Sequence, residues 1–120
     1  MNINPFKKIG SNPLSDDYIN LAPRAFQHKL SGIKNPVIID VRSPEEFEKD
    51  SIPNAINISY QADNFWDRVV SYKNESFVFI YSQTGRKSKR ACILLRNGGF
   101  DKEQIFNLDG GFRSWKKSRI

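Results

Sequence analysis

VFIYSQTGRKSKRACILL, residues 78–95, joins an apolar run to a basic segment through a short polar loop. With Phe77 before it, FVFIY (77–81) is β-branched or aromatic at every position and predicts a strand buried on both faces. RKSKRACILLRNGG (86–99) turns Ala91, Cys92, Leu94 and Leu95 inward and ends at Gly98–Gly99, which predicts a helix closed by glycine. Residues 82–87 lead from the strand into the first turn of that helix. Its first backbone N–H groups have no partner within the helix, so they point back into the loop.

The same alternation extends in both directions. Upstream, YINL (18–21) is a short strand, and APRAFQHKLSG (22–32) is a helix with Pro23 near its start and Gly32 at its end. PVIIDV (36–41) repeats the doubly buried strand pattern. SPEEFEKD (43–50) opens a helix with Ser43 as N-cap, Pro44 behind it, and Glu45 and Glu46 at the positive end of the dipole. AINIS (55–59) is a further strand, and FWDRVVSYK (65–73) spaces Phe65, Val69 and Tyr72 helically. Downstream, QIFNL (104–108) is the last strand, and Asp109-Gly110-Gly111 turns into a helix carrying Trp115. Strands alternating with helices predict an α/β fold, a mainly parallel five-stranded sheet with helices on both faces. Ligand sites in such sheets form beyond the carboxyl ends of the strands. That rule selects Asp40–Arg42, Ser59–Tyr60 and above all the loop from Ser82.

A chain of 120 residues, 38% apolar and 12% aromatic, suits one globular domain. Residues 1–17, polar and carrying Pro5 and Pro13, read as a flexible arm, leaving 18–120 as the domain. No apolar run is long enough for a membrane span, MNINPFKKIG lacks the apolar core of a secretory signal, and the single cysteine fits a reducing compartment. Together these predict a cytoplasmic monomer. The net charge of +6 favours small anions or acidic partner surfaces. GRKSKR (85–90) and RSWKKSR (113–119) hold much of it, while SPEEFEKD is acidic. No basic stripe interleaved with aromatics and no zinc-finger spacing marks dedicated nucleic-acid recognition. No metal-ligand cluster, dinucleotide fingerprint or cofactor attachment site is present, so no cofactor is expected.

Two familiar phosphate and hydrolase motifs fail on inspection. Matching Lys87-Ser88 to the end of a P-loop puts Arg86 and Tyr81 where glycines must stand. A nucleophile elbow needs glycines two positions either side of the serine, and here they are Ile80 and Thr84. The only histidine, His28, lies in the first helix, and a serine hydroxyl without a base is a poor nucleophile. What the loop does provide is a concave nest of N–H donors with Gly85 at its tight turn and Arg86 and Lys87 beside it. A cysteine at the lip of that nest would be a thiolate able to carry sulfur as a persulfide or to attack an oxyanion. Ser82 has no comparable acidity.

Three stretches in order, VIIDVRSPEEFEKDSIPNAINI (37–58), YSQTGRKS (81–88) and IFNLDGGFRSW (105–115), resemble the rhodanese-like domain family. The resemblance runs over about residues 18–118. Asp40-Val41-Arg42, Ile52-Pro53 and Leu108-Asp109-Gly110-Gly111 match the family's motifs, whereas its Gly-His before Ile-Pro is Asp50-Ser51 here. The family's catalytic loop is Cys-x-x-Gly-x-Arg-Ser, whose cysteine accepts sulfane sulfur. The resemblance implies that Ser82 stands at the cysteine position and that Gln83, Thr84, Gly85, Arg86, Lys87 and Ser88 form the anion-binding loop, with Lys87 in the arginine's place. Lysine keeps the charge without the planar bidentate fork.

Three readings stay open. In the first, the native protein is an active sulfurtransferase and Ser82 is an engineered replacement of cysteine. In the second, Ser82 is natural and the domain is a silent module that binds a thiosulfate-like anion or a sulfur-carrying protein partner. In the third, Cys92 takes over the chemistry, although a cysteine among Leu94 and Leu95 reads as a small buried hydrophobe. Asp40 and Arg42 are expected to pair and tie segments in support of the loop. Tyr60, Phe65 and Trp66 are expected either at the rim of the pocket or in the core.

Overall fold

The computed structural model describes residues 17–75 and 77–119. The arm expected over 1–17 therefore lies, except for Asp17, outside the described residues. Five strands form one parallel sheet in the order β1-β5-β4-β2-β3: β1 (Ile19–Leu21), β2 (Val37–Asp40), β3 (Ile56–Asn57), β4 (Val78–Tyr81) and β5 (Ile105–Leu108). The helices between them are α1 (Pro23–Ser31), α2 (Pro44–Lys49), α3 (Phe65–Val69), α4 (Arg86–Asn97) and α5 (Gly111–Ser118). This is the single α/β domain expected from the alternation of elements.

The strand sequences are apolar on both faces because both faces are covered. Val78 and Ile80 of β4 enter one core with Ile39, Val69, Ala91, Cys92 and Leu95, beneath α3 and α4. Phe79 and Tyr81 enter the other with Phe26, Leu30, Phe112 and Trp115, beneath α1 and α5. Each such side chain contributes roughly 1.5–3 kcal/mol by leaving water, so the central strand β4 anchors both layers. Aromatic packing adds direction to the second core, where Phe79 stacks on Phe106 at 5.0 Å and meets Phe26 edge-on at 5.3 Å.

Two elements differ from expectation. The edge strand β3, expected over 55–59, is confined to Ile56 and Asn57 and has β2 alone beside it, although the Ile58 and Tyr60 N–H groups still donate to the carbonyls of Asp40 and Val41 at 3.0 Å. The segment expected as one helix over 65–73 is α-helical to Val69 and continues as a tighter 3-10 turn over Val70–Tyr72. A further 3-10 turn, Lys102–Gln104, precedes β5 and is closed by Asp101 and Gln104 bonding each other's backbone.

From β2 the chain moves outward to β3, whereas from β4 it moves the opposite way to β5. Connections that diverge from neighbouring strands leave a crevice between them. Here that crevice opens between Arg42 and the loop that follows Tyr81.

Candidate functional site

The loop after β4 is built around one oxygen. Ser82 is 3% exposed. Its Oγ accepts from the N–H of Gly85 at 3.0 Å and of Ser88 at 3.2 Å, and its hydroxyl donates to Ser88 Oγ at 2.9 Å. Ser88, fully buried in the first turn of α4, donates its own hydroxyl to the Gly85 carbonyl at 3.2 Å. A serine hydroxyl offers one donor and two acceptor positions, and all three are filled. The reversal into α4 occurs at Gly85, whose φ of +93° suits glycine.

The loop is clamped from behind by α5. Phe112 and Arg113 donate their backbone N–H groups to the carbonyls of Ser82 and Gln83 at 2.8 and 3.0 Å. The approach is close because Gly111 has no side chain: a Cβ there would lie 2.6 Å from Gln83 C and O and from Gly85 N. Gly111 itself sits at φ +66°.

The opposite wall comes from the turn after β2. The Asp40 carboxylate, wholly buried, receives Arg42 Nε at 3.1 Å, Nη2 at 2.8 Å and the Arg42 backbone N–H at 2.8 Å. Arg42 also donates from Nη2 to the Asp50 carbonyl at 2.6 Å and from Nη1 to Gln83 Oε1 at 3.2 Å. Its guanidinium lies 4.4 Å from the centre of the Phe112 ring. Burial works against the charge, but the Asp40 carboxylate outweighs it and holds Arg42 above its ordinary range. Burial pushes the Tyr81 phenol up, with Asp40 adding to it, so Tyr81 stays a neutral donor or acceptor and accepts the Ile52 N–H at 3.1 Å. Arg42 thus joins β2, the end of α2, the loop and α5.

Between these walls lies a cleft of about 170 Å³ lined by Arg42, Glu46, Ser82, Gln83, Thr84, Arg86 and Lys87. Thr84, Arg86 and Lys87 are exposed at its mouth. Residues 24–118 match the rhodanese-like domain. The chain belongs to that family.

Similar proteins sharpen the assignment. The chain is 35% identical over 85 residues to the uncharacterised protein YqhL of Bacillus subtilis, covering 71% of this chain and 64% of that one. It is 25% identical over 93 residues to a sulfurtransferase of Allochromatium vinosum, covering 78% and 83%. Among solved structures, a rhodanese-like domain protein from Staphylococcus aureus superposes with a TM-score of 0.68 at 31% identity, over 81% of this chain and 90% of that one. The chain spans under two thirds of the length of the first of these relatives. It is a rhodanese-like domain related to sulfurtransferases.

In this rhodanese-like domain Ser82, Gln83, Thr84, Arg86, Lys87 and Arg42 line one cleft, while Gly85 and Ser88 are buried against the Ser82 hydroxyl and Asp40 lies directly behind Arg42. Tyr60, Phe65 and Trp66 do not join them. They line a separate cleft of about 280 Å³ with Ala62, Asp63 and Leu94, which shares no residue with the cleft over Ser82. Cys92 is fully buried, and burial pushes its thiol well above the ordinary range, which disfavours the thiolate in the folded chain. His28 is exposed on α1 and does not line the cleft. Among the described residues no cluster of His, Cys, Asp and Glu can hold a metal ion, and no helix is long and apolar enough to cross a membrane.

Three contributions escaped the sequence reading. Gly110-Gly111, read only as a turn, is the surface on which the loop rests. Glu46, read as a helix-start residue, also lines the cleft. Asp50 binds Arg42 through its carbonyl and Lys116 through its carboxylate, whose acidity Lys116 strengthens. The doubled glycine was the available signal, since two in succession before a helix mark close backbone approach.

Proposed function

We propose that this chain is a rhodanese-like binding module that carries out no sulfur transfer with serine at position 82. In this reading Ser82 occupies the place of the family's sulfur-accepting cysteine. Gln83, Thr84, Gly85, Arg86, Lys87 and Ser88 hold a thiosulfate-like anion or the sulfur-bearing end of a partner protein, and Asp40 and Arg42 support them. The domain comprises residues 18–120 with an arm over 1–17, and a cytoplasmic location fits its single buried, unpaired cysteine. The observation that carries the reading is the saturated Ser82 hydroxyl. With both acceptor positions and its one donor engaged, the oxygen has no free lone pair directed into the cleft. Nor does a neighbouring group act as its base, because the Ser82 hydroxyl donates to Ser88 and the Ser88 hydroxyl donates to a carbonyl.

The same geometry favours a second reading, in which a cysteine at position 82 makes an active sulfurtransferase. Gly85 and Ser88 would then direct their N–H groups at a thiolate at the N-terminus of α4. The thiolate would attack the outer sulfur of thiosulfate, forming an S–S bond as sulfite leaves. Cyanide would then remove that sulfur as thiocyanate and restore the thiolate.

Thiocyanate release from thiosulfate and cyanide tests both readings. The chain with Ser82 is expected to give none, and Ser82→Cys is expected to turn over. Turnover by the Ser82 chain would overturn the silent-module reading, while a folded but inactive Ser82→Cys protein would show that the loop no longer supports the chemistry.

A further inference from the structure

Among the described residues one side-chain hydrogen bond spans the cleft over Ser82, from Arg42 Nη1 on one wall to Gln83 Oε1 on the other, at 3.2 Å. It is the longest bond that Arg42 makes and its only one to a neutral side chain. Nε and Nη2 lie 2.8–3.1 Å from the Asp40 carboxylate, and Nη2 lies 2.6 Å from the Asp50 carbonyl. A guanidinium carries five N–H donors, one on Nε and two on each Nη. These contacts occupy the Nε donor, both donors of Nη2 and one of Nη1. The second Nη1 donor has no acceptor among the described residues. Arg42 is 5% exposed and lines the cleft. A buried donor without an acceptor costs free energy, which an entering acceptor would recover.

Gln83 is held in a way that leaves its side chain able to turn. Its backbone carbonyl accepts the Arg113 N–H at 3.0 Å, so the loop keeps its place. The side chain is half-buried, and beyond Oε1 it makes no hydrogen bond among the described residues. An ionised acceptor bonds a guanidinium more strongly than a neutral amide does. An anion entering the cleft therefore displaces Gln83 Oε1 and gains both Nη1 donors. The Asp40 carboxylate already balances the charge of Arg42, so the balance for a second anion comes from the mouth. Arg86 and Lys87 line it, are exposed and have no ion-pair partner among the described residues. Glu46 also lines the cleft, but its Oε1 is engaged at the start of α2 by the Ser43 N–H and hydroxyl, at 3.3 and 3.1 Å.

We infer that Arg42 binds the anion directly through Nη1 and that Gln83 is its built-in competitor, so that residue 83 sets how tightly an anion is held. The assignment rests on the reading of residues 82–88 as the anion-binding loop. It also narrows the class of anion. Asp40 and the Asp50 carbonyl take both Nη2 donors, so no two-nitrogen fork is left for a flat carboxylate. A tetrahedral oxyanion can place one oxygen at Nη1 and has others left for Arg86 and Lys87. The site therefore favours sulfate-like and thiosulfate-like anions over carboxylates.

The test uses the full chain with Ser82, so no turnover is needed. Thiosulfate, with acetate for comparison, is titrated into isotope-labelled protein, and NMR follows the Arg42 Nη1 signal beside the backbone N–H signals of residues 84–88. Gln83→Ala is expected to tighten thiosulfate binding about threefold or more, since a site that is closed part of the time binds in proportion to its open fraction. Gln83→Glu puts a charged competitor in place of a neutral one and is expected to weaken binding about tenfold or more. In an Arg42→Lys background, which lacks Nη1 but keeps the charge beside Asp40, Gln83→Ala is expected to change little. Unchanged or weaker thiosulfate binding by Gln83→Ala, or acetate bound as tightly as thiosulfate, would overturn the inference. Should Arg42→Lys not fold, the parent chain still decides. Loop signals that saturate while Nη1 stays still would refute the role of Arg42 and leave the loop reading standing. A shift at Nη1 without one in the loop would refute the loop reading and leave Arg42 as an anion ligand. Silence at both, in the parent and in Gln83→Ala, would overturn both.

Discussion

At the scale of single residues, the decisive feature is how completely the surroundings of position 82 are specified. A buried hydroxyl costs free energy unless its hydrogen bonds are made, and Ser82 has all of them, two from the backbone N–H groups of Gly85 and Ser88. The environment is therefore one that favours electron density at this atom, whichever atom it is. Replacing the oxygen by sulfur turns that preference into acidity. In the Ser82→Cys protein the thiol is expected to titrate below the ordinary value of ~8.5, because the thiolate gains the Gly85 and Ser88 N–H groups and the α4 dipole. Adding Ser88→Ala removes the hydroxyl that can rotate to donate toward the thiolate, and the value is expected to rise again. Rates of iodoacetamide alkylation against pH read both shifts, with Cys92 shielded by burial. An unshifted midpoint for alkylation of the Ser82→Cys thiol would show that the nest does not stabilise negative charge.

At the scale of elements, the loop keeps its shape because α5 holds it. Gly111→Ala is expected to break that contact. The new Cβ would fall 2.6 Å from backbone atoms of Gln83 and Gly85, which have no flexible end to move aside, at a φ of +66° that disfavours alanine. Strain of ~1–2 kcal/mol from the left-handed backbone and ~1–3 kcal/mol from overpacking predict a clear drop in the urea midpoint. They also predict loss of thiocyanate release in the Ser82→Cys background. Gly32→Ala is the contrast: φ is −90°, the nearest neighbour of its Cβ lies 3.7 Å away, and the change is expected within about 0.5 kcal/mol. This contact also explains what the sequence could and could not disclose. FVFIY and PVIID announce a doubly covered sheet because burial on both faces demands apolar side chains at every position. SPEE announces the start of α2 because capping is local, and the reciprocal Ser43–Glu46 bonds are indeed present. The meeting of Gly111 with Gln83, across the whole of α4 and β5, leaves no local pattern, and neither does the use of Asp50's carbonyl by Arg42. Only the paired glycines hint at the first. Tyr60 and Trp66 illustrate the converse, since aromatic residues near a strand end suit a pocket rim and a separate cleft equally well.

At the scale of the whole molecule, the two covered layers set how stability depends on pH. Three acids with alkaline titrations are built into them: Cys92 and Tyr18 in or against the layer under α4, and Tyr81 in the other. Burial raises all three. Tyr18 is pushed up to about 12, with further contributions from Cys92, Asp17 and Asp109. Tyr81 and Cys92 are raised further. In the unfolded chain the thiol titrates at ~8.5 and the phenols at ~10. More than about one pH unit below the thiol's unfolded value all three are protonated in both states, and the full stability is present. Above it the unfolded chain releases protons that the folded chain retains, so the unfolded state binds fewer protons and stability falls as pH rises. A group that ionises only on unfolding lowers stability by roughly 1.4 kcal/mol for each pH unit above its unfolded value. Urea midpoints are therefore expected to be flat near neutral pH and to decline as pH rises through ~8.5, with Cys92 responsible for the onset. Cys92→Ala leaves a small gap in the core and lowers the midpoint at every pH, but it is expected to delay the decline until the phenols titrate. An onset that does not move in Cys92→Ala would show that the thiol ionises in the folded chain, against its complete burial beneath α4.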